Sequence, residues 1–184
     1  MDYDRPALIE LVKELALEFG DFTLASGKKA SFYLDCRKVT LDSRGANLIA
    51  AGMLELLGDG LPDAVGGMAV GADPITGAVI TTAGARGRRL KGFIVRKESK
   101  QHGKGQDVEG PVKPGERCVI VEDTVTTGGS SLKAIEKVRE FGMEVVEVLA
   151  VVDRLEGAAE LFAEHNLPFR SLLTVEDLGI RRGA

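Results

Sequence analysis

The run Val119-Ile120-Val121-Glu122-Asp123-Thr124-Val125-Thr126-Thr127-Gly128-Gly129-Ser130-Ser131 restricts this chain more than any other segment. An apolar stretch ends in two carboxylates, hydroxyls and glycines follow, and a helical pattern then runs over 128–141. Continuous apolar residues read as a strand covered on both faces, the habit of a parallel sheet flanked by helices. The flanking segments agree. Strand patterns at 63–68, 93–95, 117–121, 145–152 and 169–172 alternate with helical ones at 74–85, 128–141 and 156–165, and a last short helix reads over 174–178. Such alternation predicts an α/β fold with a central parallel sheet. With 184 residues, 44% of them hydrophobic, the chain can bury one core and fits a single domain.

Upstream, Asp4 and Pro6 open a helix whose apolar stripe is Leu8, Leu11, Val12, Leu15 and Phe19, with Gly20 stopping it. Residues 21–37 read as two short strands around Ser26-Gly27-Lys28-Lys29, and 42–57 as a helix with Gly58 past its end. The segment 99–114 is polar, contains glycine and is long for a connection, which predicts a functional loop. A net charge of −4 gives no global attraction for nucleic acid. Two cysteines, Cys36 and Cys118, make neither a disulfide framework nor a metal motif, and Cys118 reads as a buried strand residue. His165 reads as an exposed residue on a polar helix face. The N-terminus has no signal pattern and no apolar run spans a bilayer, so a cytoplasmic protein without membrane contact is expected.

In an open α/β sheet, ligands bind beyond the carboxyl ends of the strands. The turn at 124–130 would aim backbone N–H groups and the positive end of a helix at a phosphate, and Gly128 and Gly129 would let the backbone come close. Glu122 and Asp123 would repel a bare phosphate, whereas the cis hydroxyls of a ribose suit them. The segment therefore reads as a ribose-5-phosphate cradle. The plainer alternative is an acidic strand end with a glycine-rich turn and no ligand. Competing phosphate motifs, a Gly-x-x-x-x-Gly-Lys-[Ser/Thr] loop or a helix-opening Gly-x-Gly-x-x-Gly, are missing.

The same run closely resembles the signature with which type I phosphoribosyltransferases bind phosphoribosyl pyrophosphate (PRPP). Three further segments are similar, in order and spacing, to orotate phosphoribosyltransferases. Phe22-Thr23-Leu24-Ala25-Ser26-Gly27-Lys28-Lys29 with Phe32-Tyr33-Leu34-Asp35 resembles their N-terminal hood. Arg96-Lys97-Glu98-Ser99-Lys100-Gln101-His102-Gly103 resembles their catalytic loop, and Val151-Val152-Asp153-Arg154 the strand end whose arginine receives the orotate carboxylate. The resemblance implies the type I fold in one domain over 1–184, with a hood mainly at 1–41 and a core at 42–184. It implies transfer of the phosphoribosyl group from PRPP to orotate, in pyrimidine (UMP) biosynthesis, by a Mg²⁺-dependent homodimer whose loop reaches the neighbour's site.

Residue by residue, it implies that Lys100, His102 and Asp123 act in catalysis. PRPP would meet Arg96, Lys97, Lys100, His102, Glu122, Asp123, Thr124, Val125, Thr126, Thr127, Gly128, Gly129 and Ser130. Orotate would meet Thr126, Arg154 and the backbone of Tyr33 and Leu34, while Mg²⁺ would be held mainly through PRPP rather than by protein ligands. Gly103 and Gly105 would let the loop close. Two positions depart from the pattern: some members have lysine where Ala25 and Gly71 stand here, so Lys28 or Lys29, and backbone N–H groups at 69–73, would take over. Glu122 is one methylene longer than the aspartate often found there. A purine substrate would give Arg154 no carboxylate to bind, and this acidic chain lacks the basic face or added domain expected of a regulator that binds PRPP and nucleic acid.

Overall fold

In the computed structural model, which describes residues 2–23, 29–98 and 107–181, strands and helices alternate as the sequence predicts. Helix α1 (Arg5–Leu15) begins at an Asp4 cap, with the Asp4 carboxylate accepting from the Ala7 N–H. It buries Leu8, Leu11 and Val12. The expected continuation of its stripe to Phe19 is not observed. The helix ends at Leu15, and β1 (Leu17–Thr23) pairs antiparallel with β2 (Lys29–Leu34), leaving Phe19 71% exposed on a strand. Pairing β1 with β2 satisfies backbone groups that a longer helix would have kept to itself. The Ser26-Gly27-Lys28 turn and Ala25 lie outside the described residues, as do Lys100, His102, Gly103 and Gly105.

A one-turn helix, α2 (Arg37–Thr40), follows just past the segment that reads as two strands, and then α3 (Ser43–Leu57), capped by Asp42 and closed by Gly58 at φ +63°. The remaining elements are β3 (Ala64–Met68), α4 (Ala72–Ala85), β4 (Lys91–Val95), β5 (Val108–Glu109), β6 (Arg117–Val125), α5 (Gly129–Phe141), β7 (Glu144–Asp153), α6 (Ala158–Glu164) and β8 (Phe169–Thr174). A 3₁₀ turn (Val175–Leu178) ends the described fold. The short β5 falls inside the segment that reads as one long loop, and β6 extends four residues past its expected end at Val121.

The main sheet has the order β5-β4-β3-β6-β7-β8, parallel throughout except for β5. Alternate residues of β6 feed two separate cores. Val119 and Val121 join Leu8, Val39, Ile49 and Ile75 on the face covered by α1, α3 and α4, whereas Cys118 and Ile120 join Ile135, Val138 and Phe162 under α5 and α6. Both faces of the strand are thus dry, which accounts for its apolar run. Cys36 and Cys118 are buried free thiols, and His165 is exposed. Among the described residues, no helix is long and apolar enough to cross a membrane.

Packing over β3 is close enough to require glycine. A Cβ built on Gly67 falls 2.3 Å from the Val121 carbonyl oxygen and 2.8 Å from the Ala72 Cβ, whereas one on Gly77, within α4, meets nothing within 4 Å. The same change should therefore act in opposite directions. Gly67→Ala is expected to cost about 1–3 kcal/mol or more by overpacking. Gly77→Ala should gain about 0.5–1 kcal/mol from helix propensity. Urea unfolding of the two variants beside the parent measures both; equal signs would contradict the packing described.

Candidate active site

Strand order reverses between β3 and β6: β4 and β5 lie to one side, β7 and β8 to the other. That switch point is where open α/β sheets form a crevice at their carboxyl edge, and one is present. A cleft of about 430 Å³ is lined by Met68, Ala69, Val70 and Gly71 after β3, by Glu122, Asp123 and Thr124 on β6, and by Ser130 at the start of α5. The end of β2 closes it with Tyr33, Leu34 and Asp35, joined by Cys36, Arg37 and Lys97. A second cleft of about 680 Å³ continues past Met68, Ala69, Lys97 and Ser130 along α5.

The acids dominate the electrostatics. Glu122 is only 7% exposed, and its Oε2 accepts from the Ser131 hydroxyl at 3.1 Å. Burial, with the neighbouring Asp123 charge second, pushes its pKa up to about 7 despite that bond. Asp123 is pushed above the usual carboxylate range, also by burial first, although its Oδ1 accepts from the Thr124 N–H at 2.8 Å and Arg37 pulls the other way. Gly71 brings its main chain against this pair: a Cβ there would sit 2.9 Å from Asp123 Oδ1 and 3.2 Å from Glu122 Oε1. A lysine at 71 would need the Asp123 side chain to move, so the glycine goes with the local packing. The neighbouring Ala69–Val70 peptide is cis.

Past Val125 the chain turns through Thr126 and Thr127 into α5, with Gly128 at φ +84° as its N-cap. A Cβ on Gly128 would come within 3.0 Å of Phe162 and 3.1 Å of Leu161, so both its φ and its surroundings favour glycine there. Thr127, Gly129 and Ser130 are exposed around the helix N-terminus, Thr126 is half-buried, and the Val125 side chain is buried in the core, leaving only its backbone to face a ligand. Leu34 likewise buries its side chain although it lines the cleft, while Tyr33 is 40% exposed with its ring tilted against Phe22.

Of the described residues that the sequence places in the site, Arg96, Arg154 and the five from Val125 to Gly129 stand apart from the cleft lining. Arg96 pairs with Glu109 (Nε–Oε1 2.6 Å), which raises its pKa further. Thr126 lies in the turn beside the cleft. Arg154, beyond the end of β7, holds its guanidinium 4.7 Å from the centre of the Phe32 ring, and its Nε lies 2.8 Å from Glu156 Oε1 at an angle that makes no hydrogen bond. That arginine joins the β2 edge to the end of β7, with its buried Nε held against the Glu156 carboxylate. Arg37 escapes a sequence reading. It is gripped by Asp35 through Nε–Oδ1 at 2.8 Å and Nη2–Oδ2 at 3.0 Å and lines the cleft. An arginine two residues after an aspartate is too common a pattern to mark a site. Among the described residues, no three His, Cys, Asp or Glu side chains are grouped to hold a metal ion. Two adjacent carboxylates suit an ion whose other ligands come from a substrate.

Comparison with known proteins gives this geometry a family. The model of the phosphoribosyl transferase domain matches residues 43–164. An orotate phosphoribosyltransferase of Rhodopirellula baltica is 55% identical over 183 residues, 96% of this chain and 95% of that protein. The crystal structure of Mycobacterium tuberculosis orotate phosphoribosyltransferase in complex with Fe(III) dicitrate superposes with a TM-score of 0.86 at 44% identity, covering 96% of this chain and 99% of that one. The same enzyme in complex with PRPP gives 0.81 at 41% identity, again over 96% and 99%.

The buried acids have a consequence for stability. Because the folded pKa of Glu122, about 7, lies above its ordinary 4.5, the folded chain holds that proton more tightly than the unfolded one. The stabilisation is fully present below the ordinary value and is lost as pH rises through the folded one. Asp123 is shifted in the same direction. Asp35, Asp42, Glu116 and Asp177 are shifted downward, and their contribution disappears only in more acidic solution. The thermal midpoint of the ligand-free protein is expected to fall between about pH 5 and about pH 8. Glu122→Gln should flatten that slope, which a series of melts across the range checks.

Proposed function

The chain belongs to the orotate phosphoribosyltransferases, and from that membership we propose that it moves the phosphoribosyl group of PRPP to orotate, forming orotidine 5′-monophosphate and pyrophosphate on the route to UMP. The observation that carries the reading to particular residues is the meeting of Glu122 and Asp123 with the α5 turn and the β2 edge in one cleft. The turn 124–130 binds the 5-phosphate through backbone N–H groups, hydroxyls and the helix end. Glu122 and Asp123 hold the ribose hydroxyls. Asp123 also tolerates the positive charge that builds on the sugar as the bond from its anomeric carbon to pyrophosphate breaks.

Lys97, Lys100 and His102, with Arg96 once it leaves Glu109, meet the charge that develops on the leaving pyrophosphate. Backbone N–H groups at 69–71 add to that hold where Gly71 carries no side chain. The pyrimidine nitrogen forms its bond to the anomeric carbon from the opposite face, with inversion, and its proton passes to solvent. Arg154 offers the orotate carboxylate its planar fork, Thr126 a hydrogen bond, and the backbone of Tyr33 and Leu34 faces the ring. Mg²⁺, held mainly through the oxygens of PRPP beside the acids, would supply neutralisation of the leaving charge. The chain acts as one domain, its hood mainly at 1–41 over a core at 42–184, and works as a cytoplasmic homodimer sharing the catalytic loop between subunits.

Product formation from PRPP, Mg²⁺ and orotate, with hypoxanthine, adenine and uracil in parallel, tests the reaction; turnover with another base instead would overturn the reading of Arg154 and the hood. Lys100→Ala is expected to lower kcat by about 10²–10³-fold, the range for losing one preorganised electrostatic contact. PRPP affinity should change far less; equal losses in both would contradict a transition-state role. Arg154→Ala should raise the KM for orotate about 10–100-fold, as for a charge-assisted pair, and leave PRPP binding nearly unchanged. Steady-state kinetics with each substrate varied in turn separates the two.

A further inference from the structure

Lys137 lies on α5 two turns beyond the phosphate turn, and the chemistry above makes no use of it. Its Nζ donates to the carbonyl oxygens of Arg96 at 2.8 Å and Lys97 at 3.3 Å, and lies 3.1 Å from Asp107 Oδ2. The side chain is only 20% exposed. An ammonium has three N–H donors and finds here three acceptors, whereas a surface lysine keeps its head in water. All three acceptors belong to one small structure. Val95 pairs with Val108, the Arg96 N–H donates to the Asp107 carbonyl at 2.8 Å, and Arg96 pairs with Glu109. Lys137 therefore fastens this neck, at the carboxyl end of β4, to the helix whose first residues cradle the phosphate. Lys97, whose carbonyl is one of the acceptors, lines both clefts.

We infer that Lys137 is a positioning residue that makes α5 a ruler between two anchor points on PRPP. The N-terminus of the helix fixes the 5-phosphate, and the Lys137 ammonium fixes the main chain of Lys97, so that the Lys97 charge meets the pyrophosphate at the other end of the same molecule. Without that tie, the neck keeps its β5 pairing while Lys97 loses its set distance from the turn. Stabilisation by a charge that is preorganised depends on such distances being held. The inference rests on the PRPP site proposed above, and it concerns Lys97 alone among the cations there.

A double-mutant cycle reads it directly. Lys137→Met keeps the length of the side chain and removes the donors; Lys97→Met removes the charge it is said to position. Lys137→Met is expected to lower kcat/KM for PRPP about tenfold, as for about 1.4 kcal/mol of lost stabilisation, with the KM for orotate and the melting temperature little changed. Combined with Lys97→Met it should add almost nothing, because the residue it positions is already gone. Losses that multiply in the double variant, or a Lys137→Met enzyme equal to the parent, would overturn the inference. If Lys137→Met does not fold, Asp107→Asn replaces it in the cycle, with the same non-additivity expected at smaller size and multiplying losses again counting against it. A parent protein that forms no orotidine 5′-monophosphate would instead sink the proposed reaction, so the two failures are told apart by the first assay.

Discussion

Two carboxylates side by side, Glu122 buried and Asp123 half-buried, set the terms for everything around them. They sit just past the point where β6 leaves its pairing with β3, and β7 still holds the strand there, so it cannot withdraw to give them water. The hydrogen bonds they receive from the Ser131 hydroxyl and the Thr124 N–H are neutral ones and do not reverse the effect of burial on either acid. A fold keeps such a pair only where something else supplies donors. The glycines nearby follow from that requirement. Gly71 lets the chain after β3 lie against the acids, Gly67 lets β3 approach β6, and Gly128 turns the chain into α5 with its N–H groups facing the same space. A diol carrying a phosphate a few bonds away satisfies both halves of this arrangement, and few other ligands do.

The sheet was legible because its central strands are buried on both faces: β6 shows an unbroken apolar run, β7 one interrupted only by Glu147, and the caps Asp42 and Gly58 mark α3 from sequence alone. What sequence could not show has a common physical cause, that local pattern carries no information about partners distant in the chain. Phe19 continues the spacing of α1 and yet belongs to β1, because β2, beyond the intervening turn, offers its backbone a partner. Strand β5 is two residues long, too short for any periodicity, and exists by pairing with β4. The phosphate turn was readable since all its residues are contiguous. Arg37 and Lys137 were not, for each matters through what it reaches across the fold: Asp35 and the cleft for one, the β4 end for the other.

Arginine is treated differently at the two edges of the site. Arg37 spends two donors on Asp35 and remains beside the acids, softening their repulsion without neutralising them. Arg154 is turned over Phe32, an arrangement worth about 0.5–2 kcal/mol when desolvated, and its Nε pairs with Glu156. The first lines the resting cleft; the second ties the β2 edge to the end of β7. In a chain of net charge −4, positive charge near the cleft is thus concentrated in a few placed residues rather than spread over a surface, where salt would screen it.

Helix α5 draws these parts together. Its N-terminus carries the phosphate turn, its buried face packs against the sheet through Ala134, Ile135 and Val138, and its Lys137 reaches the carbonyls at the end of β4. The helix is therefore in contact with three regions: the turn proposed to anchor the phosphate, the strand bearing Glu122 and Asp123, and the neck at the end of β4. Because a helix is stiff along its axis over two turns, the spacing between the first and third is fixed by the fold rather than by the ligand. Positioning of this kind must be provided before substrate arrives, since a lysine that had to find its place during the reaction would contribute to binding and little to rate.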